Sequence, residues 1–257
     1  EFPFPTATGL TYDSGDYAAP LQKALGIVDY KKLLVEQAEA RKQGKLMGIG
    51  ICTYGEICGF GPSPATPAGG WECGTVRVEP SGKVTVLTGS CHHGQGEETT
   101  FAQIAADELG VDIDDILVLR GDTAIVPYGI GTFGSRATAI GGTALYFALQ
   151  DLKVKIKKFG EVLLGSPDVS FANGQVTCNK MGKSVSFKEV AAASYRAMKL
   201  PPNTEPGLVS THFWEPPNFT FGFGAHIAVT EIDPATGQIT VRRYLAVDDC
   251  GNIINPL

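Results

Sequence analysis

Lys83-Val84-Thr85-Val86-Leu87-Thr88 alternates polar and apolar residues and reads as a half-buried strand. It runs into His92-His93-Gly94-Gln95-Gly96-Glu97-Glu98-Thr99-Thr100. Next come Phe101, Ile104, Ala105 and Leu109, which share one face at helical spacing before Gly110 stops the run. The chain therefore passes from strand to helix through a loop with two glycines. A helix start exposes unpaired amides with partial positive charge, so an anion can bind there. Gly94 and Gly96 have no side chain to hold a phosphate or a flat ring away from the backbone. Gln95 offers a donor and an acceptor, which suits a polar heterocycle. From these residues alone a plain glycine turn is the favoured reading, because glycine turns far outnumber cofactor loops.

Working outward, Gly74 to Glu79 alternates, Pro80-Ser81-Gly82-Lys83 turns, and Val84 to Gly89 returns. Ala225 to Ile232 alternates again, Asp233-Pro234-Ala235-Thr236-Gly237 turns, and Ile239 to Val247 returns. Both are β-hairpin signatures. Between them lie a strand at Ile116 to Leu119, a helix from Thr138 to Phe159, and a helix opened by the capping box Ser186-Phe187-Lys188-Glu189. Asp29 to Gly44 reads as a charged helix and Leu46 to Ile51 as a short strand. Residues 1–20 read as an extended arm, and Gly59 to Gly70 as a loop without periodicity. The expected fold is α+β, with β-hairpins packed against helices in two related hairpin-containing units. The expected division is residues 1–70 (arm, helix and Gly/Pro loop), 71–224 (first unit) and 225–257 (the start of a second, truncated unit). If the units are related, a helix should follow Leu257, which points to a fragment of a longer chain.

Composition narrows the function classes. The chain has 257 residues, enough for one large domain or two small ones. Its net charge of -6 argues against nucleic acid as a partner. Lys153, Lys155, Lys157 and Lys158 read as the solvated face of a helix. No apolar run is long enough to span a membrane, and the first residues lack the pattern of a signal peptide. None of the six cysteines forms a C-x-x-C pair, so they read as reduced thiols of a cytoplasmic protein.

Gly129-Ile130-Gly131-Thr132-Phe133-Gly134 is a literal G-x-G-x-x-G. A dinucleotide fingerprint needs a strand directly before it, and Pro127 argues against one here. The nicotinamide reading is rejected. Ser135, Arg136 and Thr138 still place hydroxyls and a guanidinium at a helix start, which suits a phosphate, while a solvent-exposed arginine on a glycine turn fits equally well. A metal site built from Cys91, His92 and His93 is disfavoured, because adjacent residues of an extended segment point to opposite sides.

Taken together, these pieces resemble the molybdopterin-binding large subunit of the xanthine dehydrogenase family of molybdenum hydroxylases, in particular its aerobic carbon monoxide dehydrogenase branch. The likeness rests on Met47-Gly48-Ile49-Gly50-Ile51, Gly94-Gln95-Gly96 with Glu98-Thr99-Thr100, Gly121-Asp122-Thr123, Gly131-Thr132-Phe133-Gly134-Ser135-Arg136, Glu205-Pro206-Gly207-Leu208, and Asp248-Asp249-Cys250-Gly251 with Asn255-Pro256. These occur in order along nearly the whole chain. The resemblance implies a molybdopterin cofactor, in its cytosine dinucleotide form, held by three loops. They are Gly94, Gln95, Gly96, Glu97 and Thr99; then Thr132, Phe133, Gly134, Ser135, Arg136 and Thr138; and finally Asp249, Cys250, Ile253 and Asn255. It further implies oxidation of a small substrate (carbon monoxide or an aldehyde, for instance) at a molybdenum centre. Electrons would pass to an iron–sulfur small subunit and an FAD medium subunit. The family's copper-binding cysteine loop would precede this chain and its catalytic carboxylate would follow Leu257, so neither a catalytic residue nor a metal ligand is assigned within it. His92-His93 stand where some relatives carry Ser-Gln, which argues against carbon monoxide as the target. The alternative expectation is a catalytically inert ligand-binding module that keeps the fold.

Overall fold

The computed structural model describes residues 2–61, 70–196 and 199–254. In chain order, β1 (Phe4–Pro5) and β2 (Thr11–Tyr12) are followed by α1 (Ala18–Val28), α2 (Tyr30–Lys42) and β3 (Leu46–Cys58). Next come β4 (Glu72–Val78), β5 (Val84–Thr88), α3 (Glu97–Leu109) and β6 (Ile116–Arg120). A π-helical turn, Ala137–Gly142, leads into α4 (Thr143–Leu164). Three short strands, β7 (Ser170–Ala172), β8 (Gln175–Cys178) and β9 (Lys183–Ser186), precede α5 (Phe187–Arg196). The last described strands are β10 (Leu208–Trp214), β11 (Thr220–Ile232) and β12 (Ile239–Asp249). The α+β expectation is met. The chain divides into two compact units, Glu1–Cys58 with Thr220–Ile253, and Gly59–Phe219 with Ile254–Leu257. The boundaries expected at residues 70/71 and 224/225 cut across these units.

The first unit is built on an antiparallel sheet ordered β12-β11-β3. One face buries Ala225, Ile227 and Val229 against Ala24, Val28 and Leu33 of the two helices. Two local expectations change. The arm ends early, because Ala18 to Pro20 already begin α1, and proline is tolerated in a first helical turn. The strand expected to stop at Ile51 runs on to Cys58. Glycines interrupt its apolar pattern, but β11 supplies a ladder partner at every position from Leu46↔Ile232 to Cys58↔Thr220. The expected charged helix is α2, and Asp29 caps it by accepting from Lys32 N. The second hairpin is present and closes through Asp233 N donating to Gln238 O.

The second unit carries a sheet ordered β10-β4-β5-β6. β4 and β5 are the expected hairpin, and β5 and β6 are parallel, joined by α3 as the crossover that parallel strands require. All five residues of β5 are buried, so the strand read as half-buried is covered on both faces. Alternation in its sequence reflects threonines that are buried too, at Thr85 and Thr88. The buried stripe of α4, Leu145, Leu149, Leu152 and Ile156, joins Val76, Val86, Phe101 and Leu208 in one core. The four lysines lie off that stripe, and Lys153 pairs with Glu108 of α3. The capping box forms as read: Ser186 N donates to Glu189 Oε2 at 2.7 Å, and Glu189 N donates to Ser186 Oγ at 3.2 Å. Ser186 Oγ also donates to Glu189 Oε2 at 2.6 Å, and that bond, with the one from Ser186 N, holds the Glu189 carboxyl below its ordinary pKa. Among the described residues, no helix is long and apolar enough to cross a membrane.

β4 and α4 meet backbone to backbone at Gly74. A Cβ added there would lie 2.5 Å from Leu145 N and 2.6 Å from Leu145 Cα. Neither atom belongs to a side chain that can swing away. Gly74→Ala is therefore expected to destabilise the fold by about 1–3 kcal/mol through overpacking. Urea unfolding checks this; an unchanged midpoint would mean that α4 slides freely on the sheet.

Candidate functional site

Two of the three loops singled out in the sequence come together at one end of the second unit's sheet. β5 ends at Thr88 and the chain turns through Cys91 to Gly96 into α3. Gly94 and Gly96 adopt φ of 92° and 79°, which a side chain would resist. Glycine is thus required here by the backbone itself. A Cβ at Gly94, Gly96 or Gly131 would meet nothing within 4 Å, so the approach to the loop backbones is open as well. The N-cap of α3 is Gly96, which has no side chain to cap it, and the first amides of a helix point outward.

The second loop is laced to the first. Cys91 N donates to Thr132 Oγ1 at 2.8 Å. His93 Nε2 lies 3.1 Å from Thr132 O. A carbonyl only accepts, so that ring nitrogen carries the proton and is not free to bind a metal. Phe133 and Ser135 are exposed, and Ser135 holds φ of 50°. Thr138 is exposed on the π-helical turn, whose wider winding shows in Gly141 N reaching back to Arg136 O. That turn has no acidic residue, whereas the first turn of α3 has Glu97 and Glu98.

Two residue roles differ from the sequence reading. Arg136 was expected to face a phosphate or the solvent, and it does neither. It is fully buried, its NH1 pairs with Glu72 Oε1 at 2.5 Å, and it donates further to Phe60 O, Gly131 O and Gly70 O. Glu72 Oε1 also accepts from Ile130 N at 3.0 Å. A buried guanidinium needs an anion and acceptors, and Glu72 of β4 with the carbonyls of Phe60, Gly70 and Gly131 supplies them. Arg136 therefore shapes the loop from behind. Gln95 was expected to offer its amide outward, but its Oε1 accepts from His93 N at 2.5 Å. Its Nε2 donates to Cys91 O at 3.2 Å and to Glu97 Oε2 at 3.0 Å. It braces the loop from within.

Glu97 is 3% exposed, and burial pushes its carboxyl above the ordinary range against the pull of the Arg120 guanidinium. The Thr132 side chain also holds that carboxyl down, and among the described residues Glu97 Oε1 and Arg120 Nε are both buried without a close hydrogen-bond partner. Thr99 is exposed on the first turn of α3. The third loop, Asp249, Cys250 and Ile253, belongs to the first unit. There Asp249 Oδ1 accepts from Gly251 N at 3.0 Å, and Ile253 is exposed. Asn255 lies outside the described residues.

The sequence reading missed two constellations. One is Glu72 itself, a lone acid at the start of a buried strand, whose only local signal is that an apolar run begins with a charge. The other crosses the first unit's sheet. Tyr54 Oη donates to Asp248 Oδ1 at 2.7 Å, His226 Nε2 meets the same oxygen at 2.9 Å, and His226 Nδ1 meets Tyr244 Oη at 2.8 Å. The bond to Asp248 pushes the Tyr54 phenol up to about 12, and the same bond lowers the Asp248 carboxyl. Strand register alone brings these residues together, and their sequence spacing gives no sign of it.

Comparison with known proteins gives one consistent picture. A family model described as the molybdopterin cofactor-binding domain matches residues 23–257. The carbon monoxide dehydrogenase large chain of Hydrogenophaga pseudoflava is 40% identical across 100% of this chain, which covers 33% of that protein. The nicotine 6-hydroxylase large subunit of Paenarthrobacter nicotinovorans is 35% identical across 100% of this chain, covering 32% of that protein. The solved structure of reconstituted CO dehydrogenase from Oligotropha carboxidovorans superposes with a TM-score of 0.86 at 39% identity, over 99% of this chain and 33% of that one. The chain thus spans about a third of the length of the curated relatives it matches.

Proposed function

The chain belongs to the molybdopterin cofactor-binding domain family, and from that membership we propose that it holds the pterin cofactor of a molybdenum hydroxylase. The parent enzyme would oxidise a small substrate, in the manner of the carbon monoxide and nicotine enzymes it resembles. When bound, the cofactor supplies the molybdenum centre at which the substrate is oxidised. The chain's own residues bind and orient it. The observation that carries this reading is the pair of laced loops at the start of α3 and of the π-helical turn, with open approach at Gly94, Gly96 and Gly131.

Within these loops Gly94, Gln95, Gly96, Glu97 and Thr99 form one wall, and Thr132, Phe133, Gly134, Ser135 and Thr138 form the other. Arg136 and Gln95 act by holding those walls in shape. The same role is extended to Asp249, Cys250, Ile253 and Asn255 on the strength of the family motif. The cofactor is taken to be the cytosine dinucleotide form. The partners are the remainder of the large subunit, an iron–sulfur small subunit and an FAD medium subunit, in the cytoplasm.

Elemental and pterin analysis of the intact purified complex tests this: molybdenum and pterin should be present together, and a complex without molybdenum would exclude the reading. Gln95→Ala should weaken cofactor retention by about 1–3 kcal/mol, because His93 N and Glu97 lose their partner and the loop loosens. Unchanged pterin content in that variant would count against the site.

A further inference from the structure

We propose that Tyr244 is a nucleophile: His226, oriented by Asp248, takes its phenolic proton, and Tyr244 accepts an acyl group from an activated ester. The inference concerns residues of the first unit alone and does not rest on the cofactor reading.

Strand register builds the arrangement. On β12, Tyr244, Ala246 and Asp248 share one face, and His226 of β11 stands opposite Ala246. That face is turned away from the two helices, because Ala225 and Ile227, on either side of His226, are buried against them. The small side chain of Ala246 lets the imidazole lie across β12 and reach both diagonal neighbours. Its Nε2 is 2.9 Å from Asp248 Oδ1, and its Nδ1 is 2.8 Å from Tyr244 Oη. An ionised carboxylate only accepts, so Nε2 carries the hydrogen and Nδ1 keeps the lone pair. Tyr244 therefore donates to the base that takes its proton. Nucleophile, base and orienting acid, each within hydrogen-bond reach of the next, are the signature of an activated nucleophile. The rings of Tyr54 and Tyr244 stand edge-on to the imidazole, with centroids 5.5 Å and 5.6 Å away, and hem it in.

Tyr54 provides a contrast on the same face. Its phenol donates directly to Asp248, whose carboxyl is lowered and so is a weak base, and is itself pushed up to about 12. Tyr244 is 61% exposed, with Ala228 opposite it and Gly50 beyond, so its phenol is open to a small acyl group. In the step, Tyr244 Oη attacks the ester carbonyl carbon as its proton moves to His226 Nδ1. The tetrahedral adduct then breaks the bond to the leaving oxygen, and His226 returns the proton to that oxygen. The products are an acyl ester on Tyr244 and a free alcohol, with no change of oxidation state.

The experiment treats the intact parent protein with para-nitrophenyl acetate. Absorbance follows release of nitrophenol, and peptide mass spectrometry locates the acetyl group. Tyr146 is the internal reference: it is 42% exposed, and among the described residues its phenol is bonded to no imidazole. Exposure alone would label the two tyrosines within about twofold of each other, whereas a general base should favour Tyr244 by about hundredfold. In His226→Gln that preference should disappear, with Tyr146 labelled as before. Asp248→Asn should slow labelling of Tyr244 by about tenfold or more, because the imidazolium formed in the step loses its carboxylate. Equal labelling of Tyr244 and Tyr146 in the wild type overturns the proposal and needs no variant to fold. So does a preference for Tyr244 that survives His226→Gln, which would reduce it to a matter of exposure.

Discussion

Arg136→Met lowers the stability of the fold by about 3–5 kcal/mol, the range expected when one partner of a buried ion pair is removed. The magnitude follows from full burial of both Arg136 and Glu72. Without the guanidinium, Glu72 is left as a buried carboxylate, and Phe60 O, Gly131 O and Gly70 O lose their donor. The double variant Arg136→Met with Glu72→Leu recovers only part of the loss, because Ile130 N and those three carbonyls remain unsatisfied. Urea unfolding of the wild type, both single variants and the double variant measures this directly. A loss below about 1 kcal/mol for Arg136→Met would show that loop packing, and not the ion pair, holds the second loop. Cofactor retention should fall with stability, since Ser135 and Thr138 flank the residue that anchors them.

Phe101→Ala has a comparable expected cost, about 3–5 kcal/mol, from lost burial plus the cavity left behind. Phe101 is fully buried on α3 and belongs to the main core of its unit. Its ring edge also reaches the π-helical turn: Phe101 Cζ lies 3.3 Å from where a Cβ on Gly141 would sit. The ring therefore couples the helix that carries the first loop to the turn that carries the second. Thermal unfolding should show a lowered midpoint. Faster exchange of the Ala137–Gly142 amides should accompany it, measured by hydrogen exchange. Unaltered exchange in that turn would separate the core from the loops.

Much of the fold was legible along the chain. The β4–β5 hairpin, α3 with its stop at Gly110, β6, the capping box at Ser186 and the β11–β12 hairpin all carry local signals: a period of two or of 3.6, a turn residue, a cap. The region of the site was legible for the same reason, since Gly94-Gln95-Gly96 and Gly131 to Ser135 mark backbone that must turn sharply before a helix. The start of α1 and its approach were not, because Pro, Gly and Thr around Thr6 to Asp16 mask the helix that Ala18 begins. The full length of β3 was hidden too. Its glycines weaken any strand pattern, and only pairing with β11 sustains it.

What the sequence determined by itself was the set of elements, the two glycine loops and, through its ordered motifs, membership of the molybdopterin-binding family. Those depend on neighbours within a few residues, whose geometry the backbone dictates. The tertiary structure alone decided what the polar side chains do. Arg136 turns inward because Glu72, 64 positions away in the chain, is buried beside it. Gln95 braces its own loop, and Glu97 is left with one oxygen without a close partner. Such roles depend on which donors and acceptors remain once water has been excluded, and that inventory exists only after the chain has folded.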